Sequence, residues 1–191
     1  MELLQPTTWA DALAARAENP GALPLWGGTD VMVDVNFGRA RPEAILDLTR
    51  VSDLADWGEA DGALRIGAGV TYTRAIAELG AVLPGLAMAS RTVGSPQIRN
   101  RGTIGGNLGT ASPAGDALPP LAIEGAEVEC ASVHGSRRVP LVDFVTGVKR
   151  TALADDELIT AVVVSPSGAP QTFMKVGPRN AMVIAVVSLA V

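Results

Sequence analysis

The sequence has little cysteine, little histidine and no excess of basic residues. Its 191 residues include one cysteine, Cys130, and one histidine, His134. A single cysteine cannot form an internal disulfide or a cysteine-rich zinc or iron–sulfur site, so any iron–sulfur chemistry would have to belong to a partner. The 15 Lys and Arg residues against 20 Asp and Glu residues leave a net charge of −5. No stretch is basic enough to follow a nucleic-acid backbone, and neither a metal site nor a nucleic-acid partner is predicted.

Long apolar runs and a basic N-terminal segment are also missing. The longest apolar stretch, residues 181–191, is far below the ~20 residues of a membrane helix, so no membrane span is predicted. The start of the chain, MELLQP, has neither the basic beginning nor the apolar centre of a targeting signal, which predicts a cytoplasmic location. Because the apolar stretch reaches the last residue without a following turn or polar tail, we expect a further C-terminal portion beyond it.

The order of apolar stretches predicts a chain of mixed helices and strands. With 48% apolar and 18% charged residues, a disordered or collagen-like chain is excluded. The first fifty residues predict a helix capped by Thr7 or Thr8 and two strands, at 22–26 and 44–48, that pair in parallel with a helix between them. Further strands are predicted at 63–70, 128–133, 137–142 and 158–164, further helices at 73–79 and 86–93, and a third unit from about Thr172.

Residues 94–120 are rich in Gly, Ser, Thr, Asn and Pro and lack apolar periodicity. This composition predicts a long loop with at most a short final helix. Loops of this length are uncommon in compact domains unless they are functional. We therefore expect part of a binding site here.

Two glycine clusters are the best candidates for a binding site. Gly27-Gly28-Thr29-Asp30 lies between a predicted strand and a helix start, where free backbone N–H groups and the helix dipole favour an anion. Thr103-Ile104-Gly105-Gly106-Asn107 offers a similarly close approach, and two such turns suit a pyrophosphate held from both sides. Each cluster alone is more often a tight turn than a ligand cradle, since the chain has 21 glycines.

Competing motifs are weak or incomplete. No Gly-x-x-x-x-Gly-Lys-Ser/Thr loop is present, and the stretch from Gly67 has Tyr72 where a dinucleotide fingerprint needs its third glycine. His134 is interpreted as an exposed turn residue, and the acidic residues 155–157 as a solvated loop. Arg99 and Arg101 could reach phosphates or the acidic surface of a partner.

Three stretches carry a family resemblance. Trp26-Gly27-Gly28-Thr29-Asp30, residues 97–116 (QIRNRGTIGGNLGTASPAGD) and residues 144–151 (FVTGVKRT) resemble the FAD-binding medium subunits of molybdenum hydroxylases. These are the subunits of carbon monoxide dehydrogenase and of bacterial xanthine dehydrogenase. The resemblance covers essentially the whole chain, and the second stretch is the most specific.

The resemblance implies FAD as the cofactor and a set of residues that bind it. The residues implied to wrap the pyrophosphate are Pro24, Leu25, Trp26, Gly27, Gly28, Thr29, Asp30 and Val31, and those implied to hold its other side are Thr103, Ile104, Gly105, Gly106 and Asn107. Asp116 is implied to form hydrogen bonds with adenosine or ribitol hydroxyls. Ile159 and Lys175 are implied to lie near the flavin ring. No catalytic side chain is expected, because electron and hydride transfer at flavin need geometry rather than a general base.

The implied fold is α+β, the two-subdomain FAD-binding module of the vanillyl-alcohol oxidase (PCMH) type, followed by the start of a further α+β domain. We expect subdomains at 1–52 and 53–170 and the start of the C-terminal domain at 171–191. The implied function is electron transfer from the [2Fe–2S] clusters of a small subunit, through FAD, to an external acceptor, beside a molybdopterin-binding large subunit. Two alternatives stay open: a stand-alone FAD oxidoreductase of the same fold, and a flavin-free interaction module.

Overall fold

The first 47 residues form a small parallel sheet with helices between its strands. The computed structural model describes the whole chain except the side chain of Ala60. The elements of this first part are β1 (Glu2–Leu4), α1 (Trp9–Glu18), β2 (Leu23–Leu25), α2 (Val31–Asn36) and β3 (Ala44–Asp47). The strand order is β1-β3-β2 with parallel pairing, as predicted for β2 and β3. Thr8 begins α1, because its Oγ1 accepts a hydrogen bond from the Asp11 N–H at 3.1 Å.

The rest of the chain contains a five-stranded antiparallel sheet and a terminal hairpin. After a short 3₁₀ turn (Ser52–Leu54), its elements are β4 (Trp57–Ala60), β5 (Ala63–Gly67), α3 (Tyr72–Glu78), α4 (Pro84–Thr92), α5 (Pro96–Arg101), α6 (Ile104–Thr110), α7 (Leu118–Ile123), β6 (Glu127–Ser132), β7 (Gly135–Pro140), α8 (Leu141–Phe144), β8 (Val145–Gly147), β9 (Arg150–Thr151), β10 (Leu158–Val164), β11 (Phe173–Val176) and β12 (Val187–Ala190). The large sheet has the order β4-β5-β10-β6-β7. The fold is therefore α+β, as expected.

Two main apolar cores lie next to each other, and a third, small cluster packs Ala89 of α4 against Phe173 and Ala190 of the terminal hairpin. The larger core joins the five-stranded sheet to the helices beside it and includes the fully buried Ile66, Leu108 and Phe144. The smaller core packs α1 against the parallel sheet around Leu46. Leu158 at the start of β10 belongs to the smaller core, so the long strand touches both. This arrangement places the end of β2 next to the helices that follow β5.

The prediction of a long loop over residues 94–120 is wrong, because α5 and α6 occupy much of it, whereas α7 agrees with the short final helix that the prediction allowed. Ser95 caps α5 and Thr103 caps α6, each through a side-chain oxygen that accepts an N–H of the first helical turn. A proline lies in the first turn of α5 and of α7, where its missing N–H costs little. These helices are too short and too rich in small residues to show an apolar period.

The sequence analysis missed β1, β4, β8 and β9, and it found one turn. β1, β8 and β9 have only two or three residues, and β4 contains a glycine and a glutamate, so none of the four shows a clear apolar pattern. His134 is exposed in the turn between β6 and β7, as predicted. Among the described residues, no helix has both the length and the apolar character to cross a membrane.

Candidate functional site

The loop after β2 leaves a row of backbone donors free. Gly27 is required there, because a Cβ would lie 2.0 Å from the carbonyl oxygen of Arg101, and Gly28 has a φ of +72°. Asp30 stands at the N-cap of α2, but its carboxylate accepts the Thr110 hydroxyl at 3.3 Å instead of capping the helix. Within the described chain, the N–H groups of residues 27–31 donate to no protein acceptor. A row of free backbone donors on one loop is typical of anion-binding sites.

The second glycine cluster is the capped start of α6, and its backbone N–H groups already donate to acceptors within the protein. The N–H of Ile104 donates to the Val70 carbonyl at 3.0 Å, and that of Gly105 to the Ala68 carbonyl at 3.0 Å. The N–H of Gly106 donates to Thr103 Oγ1 at 2.9 Å. The predicted turn is thus a helix N-terminus whose first N–H groups are satisfied inside the protein.

The glycines of this cluster differ in what they do. A Cβ on Gly105 would lie 2.5 Å from the Cβ of Ala68, so this glycine lets α6 pack against the chain after β5. Gly106 is exposed, and a Cβ there would meet only the Thr103 hydroxyl. Ile104 is fully buried in the larger core. Its side chain does not reach the site that the resemblance assigns to it.

A cleft of about 780 Å³ lies between the two glycine clusters. Its size falls in the range of small-molecule and cofactor sites. The predicted site residues that line it are Pro24, Leu25, Trp26, Gly27, Gly28, Thr29, Asp30, Val31, Thr103, Gly105, Gly106, Asn107, Asp116 and Ile159. Ile104 and Lys175 are absent from this lining, although the Lys175 side chain bonds Asp116. The structure thus brings together almost all of the residues named from the resemblance.

A buried ion pair supports one wall of the cleft, which Asp116 lines and Lys175 contacts from behind. Lys175 Nζ donates to Asp116 Oδ2 at 2.6 Å and to the Thr92 carbonyl at 3.1 Å, and the Lys175 and Asp116 side chains are 5% and 8% exposed. The other carboxylate oxygen, Asp116 Oδ1, is buried without a partner among the described residues, and so is Asn107 Oδ1. Two buried acceptors without donors are costly, which fits a ligand that brings hydroxyl or amide donors into the cleft.

Several residues of the cleft were missed by the sequence analysis. Tyr72 was considered only as a departure from a dinucleotide motif, yet it is buried and lines the cleft. Burial and the nearby charge of Asp116 raise the pKa of the Tyr72 hydroxyl above its ordinary value, so it stays protonated. Arg16 also lines the cleft and shows no motif, whereas Lys149 lies in the third stretch of the resemblance.

Three contacts hold the small sheet against the rest of the chain at the cleft. The ring of Trp26 packs directly on Gly69, where a Cβ would lie 2.5 Å from the nearest ring atom. Lys149 Nζ donates to Asp34 Oδ2 at 3.2 Å across the opening. Together with the bond between Asp30 and Thr110, these contacts fix the width of the cleft.

Known proteins are similar to this chain in sequence and architecture. Residues 1–166 match the family described as "FAD binding domain in molybdopterin dehydrogenase". The putative xanthine dehydrogenase FAD-binding subunit of Escherichia coli is 35% identical over 189 residues, which are 96% of this chain and 65% of that protein. The carbon monoxide dehydrogenase medium chain of Afipia carboxidovorans is 33% identical over 176 residues, which are 90% of this chain and 61% of that protein.

A solved structure shows the same similarity at the level of the fold. Quinoline 2-oxidoreductase from Pseudomonas putida superposes with a TM-score of 0.94 and 27% identity, over 100% of this chain and 67% of that one. The chain thus spans about two thirds of the length of the proteins that it matches. Sequence and fold together show that the chain belongs to the family of FAD-binding domains of molybdopterin dehydrogenases, whose cofactor is FAD.

Proposed function

We propose that the chain binds FAD in this cleft and is the FAD-binding electron-transfer subunit of a molybdenum-dependent hydroxylase or dehydrogenase. In this role it carries electrons from [2Fe–2S] clusters of a partner subunit to an external acceptor. A division into 1–52 and 53–170 as the two FAD-binding subdomains, with 171–191 as the start of a further domain, is part of the proposal. A cytoplasmic location is also part of it.

The free donors of residues 27–31 are the observation that carries this proposal. A pyrophosphate needs several hydrogen-bond donors at close range, and this loop has them, the first two on glycines that carry no side chain. Because the first donors of α6 are used, the pyrophosphate is proposed to rest mainly on the first loop. Gly106, which has no side chain, then leaves room for the pyrophosphate on the opposite side of the cleft.

The side chains of the cleft are proposed to orient the rest of the cofactor. The unpaired oxygens of Asn107 and Asp116 accept from its hydroxyl groups, and Lys175 holds the Asp116 carboxylate in place. The protonated Tyr72 hydroxyl is a donor in the same wall. Bound FAD supplies a ring that takes up and releases electrons singly or in pairs. The chain itself binds, orients and covers that ring.

The partner proposal rests on how the relatives are described. Two of them are named as the FAD-binding subunit and the medium chain of larger enzymes. We propose that a molybdopterin-binding large subunit and a [2Fe–2S] small subunit assemble with this chain. Co-expression with the genes encoded beside it, followed by affinity purification, tests this assembly. Recovery of the flavin-loaded chain alone would favour a stand-alone FAD oxidoreductase.

The cofactor site is tested by placing a charge in the loop. Thr29 lines the cleft within the row of free donors, so Thr29→Glu would put a carboxylate beside the proposed pyrophosphate. At ~5 Å and an effective dielectric constant of about 20, each phosphate charge would repel it by about 3 kcal/mol. We expect FAD affinity, measured by flavin fluorescence titration, to fall by more than about tenfold, equivalent to ~1.4 kcal/mol.

Thr146→Glu is the matched control, because Thr146 is exposed and lies outside the cleft. It should keep the wild-type affinity for FAD. Stoichiometric flavin in Thr29→Glu would remove the loop from the cofactor site. A wild-type chain that shows no flavin absorbance after incubation with FAD and gel filtration would instead favour the flavin-free interaction module.

A further inference from the structure

The connection between β9 and β10 forms part of one side of the cofactor cleft. Residues 152–157 are named here the wall segment, and its Leu153, Ala154, Asp155 and Glu157 line the cleft. The wall segment belongs to no helix or strand, so no ladder of backbone hydrogen bonds fixes its conformation. The contacts that hold this segment therefore decide the shape of one side of the cleft.

A single guanidinium group, that of Arg137 on β7, holds both ends of the wall segment. Arg137 Nε donates to Glu157 Oε1 at 2.6 Å, and its Nη2 donates to Glu157 Oε2 at 2.7 Å. The same Nη2 donates to the Ala152 carbonyl at 2.7 Å. Paired bonds between a planar guanidinium and a carboxylate are strong and fix the direction of both groups. Arg137 thus ties the last residue of the segment to the first.

Glu157 extends this hold to the middle of the wall segment. Its side chain is 10% exposed, and its Oε2 accepts the Ala154 N–H at 2.8 Å. The Glu157 N–H donates in turn to the Ala154 carbonyl at 3.1 Å. Arg137 itself is 46% exposed and lies outside the lining of the cleft. It can therefore affect a bound cofactor only through the segment that it holds.

We propose that Arg137 is a positioning residue for the cofactor, because its guanidinium group keeps the wall segment in the conformation that closes one side of the cleft. The inference rests on the proposed function, in which FAD occupies this cleft. Without the guanidinium group, the Glu157 carboxylate keeps only the Ala154 N–H as a donor among the described residues. FAD would then have to order the segment as it binds. Ordering roughly one further residue weakens binding by about tenfold.

The test compares FAD binding by the whole chain in wild type, Arg137→Gln and Arg137→Lys, in buffer where circular dichroism shows each protein to be folded. Arg137→Gln should weaken FAD binding by about tenfold in a fluorescence titration, mainly through faster dissociation. The visible circular dichroism of the bound flavin should also decrease, because the cofactor is held less rigidly. Wild-type values for affinity, dissociation rate and visible circular dichroism in Arg137→Gln would overturn the inference.

Arg137→Lys tests the same inference with a smaller change. Lysine keeps the positive charge but loses the planar paired geometry, so this variant should recover part of the affinity that Arg137→Gln loses. If Arg137→Gln does not fold, Arg137→Lys alone decides, and wild-type FAD affinity in it would refute the positioning role.

Arg65→Gln is the matched control. Arg65 on β5 donates from Nε and Nη2 to Glu129 Oε1, at 3.1 and 2.7 Å, in the same five-stranded sheet. Neither Arg65 nor Glu129 lines the cleft. This variant should lower the urea midpoint but keep the wild-type affinity for FAD and the visible circular dichroism of the flavin. An equal loss of FAD affinity in Arg65→Gln would mean that any broken ion pair of the sheet weakens the site, and the role of Arg137 would be merely structural.

Hydrogen exchange of the chain without FAD measures the wall segment directly. The amides of Ala154 and Glu157 should exchange faster in Arg137→Gln than in wild type or Arg65→Gln, because their mutual hydrogen bonds open more often. Unchanged exchange would show that Arg137 does not hold the segment. A wild-type chain that bound no FAD would overturn the proposed function and this inference together, whereas equal FAD affinity in wild type and Arg137→Gln would overturn this inference alone.

Discussion

Removing one partner of the buried pair between Lys175 and Asp116 should destabilise the protein strongly. The two side chains are 5% and 8% exposed, and Nζ lies 2.6 Å from Oδ2. Lys175→Met would leave the carboxylate buried, with the Thr92 hydroxyl at 3.4 Å as its one remaining hydrogen-bond donor among the described residues. Breaking a buried pair in this way costs about 3–5 kcal/mol, which is a large part of the ~5–15 kcal/mol stability of a typical domain.

The chain contains its own control for this change. Lys149 also pairs with an aspartate, Asp34, but at 3.2 Å and with its side chain 55% exposed. An exposed pair contributes about 0–1 kcal/mol, so Lys149→Met should cost no more than that. Comparing the free energies of unfolding of the two variants therefore separates the effect of burial from the effect of losing a charge.

Urea unfolding followed by circular dichroism, without FAD, gives the free energies of unfolding. The double variant Lys175→Met with Asp116→Asn removes both charges, so its loss should be smaller than the sum of the single losses by at least ~2 kcal/mol. If Lys175→Met cost no more than Lys149→Met, or if the single losses simply added, the buried pair would not stabilise this wall.

Three other results are expected from the same structure. Gly69→Ala should cost about 1–3 kcal/mol in urea unfolding, because its Cβ would enter the indole ring beside it, whereas Gly58→Ala has open space and should change stability by less than ~0.5 kcal/mol. The hydrogen bonds from Arg137 hold the pKa of Glu157 below its ordinary value, so the pair stabilises the fold at neutral pH and this stabilisation is lost as the pH falls through the lowered pKa. Arg137→Gln should therefore flatten the dependence of the urea midpoint on acidic pH, and an unchanged slope would contradict this expectation. Burial raises the pKa of the Cys130 thiol to about 11, so a thiol reagent at mildly alkaline pH should label it only in urea, and rapid labelling of the folded chain would contradict its burial.

Local sequence patterns predicted much of the fold. The apolar run of β10 and the hairpin of β6 and β7 follow from side-chain alternation and turn residues over a few positions. α5 and α6 were missed because their formation depends on the caps Ser95 and Thr103 and on packing, not on an apolar stripe. A composition of Gly, Ser and Thr therefore does not separate a loop from a run of capped helical turns.

The site was predictable only in part, for a similar reason. The position of Gly27-Gly28 after a strand indicated free donors, and the structure has them. The donors of the second cluster are taken by carbonyls of Val70 and Ala68, more than thirty positions away, which no local pattern reveals. The bond between Lys175 and Asp116 also joins distant positions, and only the family resemblance named both residues.

On the proposed function, the free donors of residues 27–31 also link the lifetime of the folded chain to flavin supply. A ligand that binds only the folded state adds to its stability by mass action, about 2.7 kcal/mol when its free concentration is a hundred times the dissociation constant. Without FAD the loop keeps unpaired N–H groups, and the opened form that proteases attack is correspondingly more populated. Cells that make more of this chain than their flavin can fill are therefore expected to degrade the surplus, so that proteolysis matches the number of subunits to the cofactor.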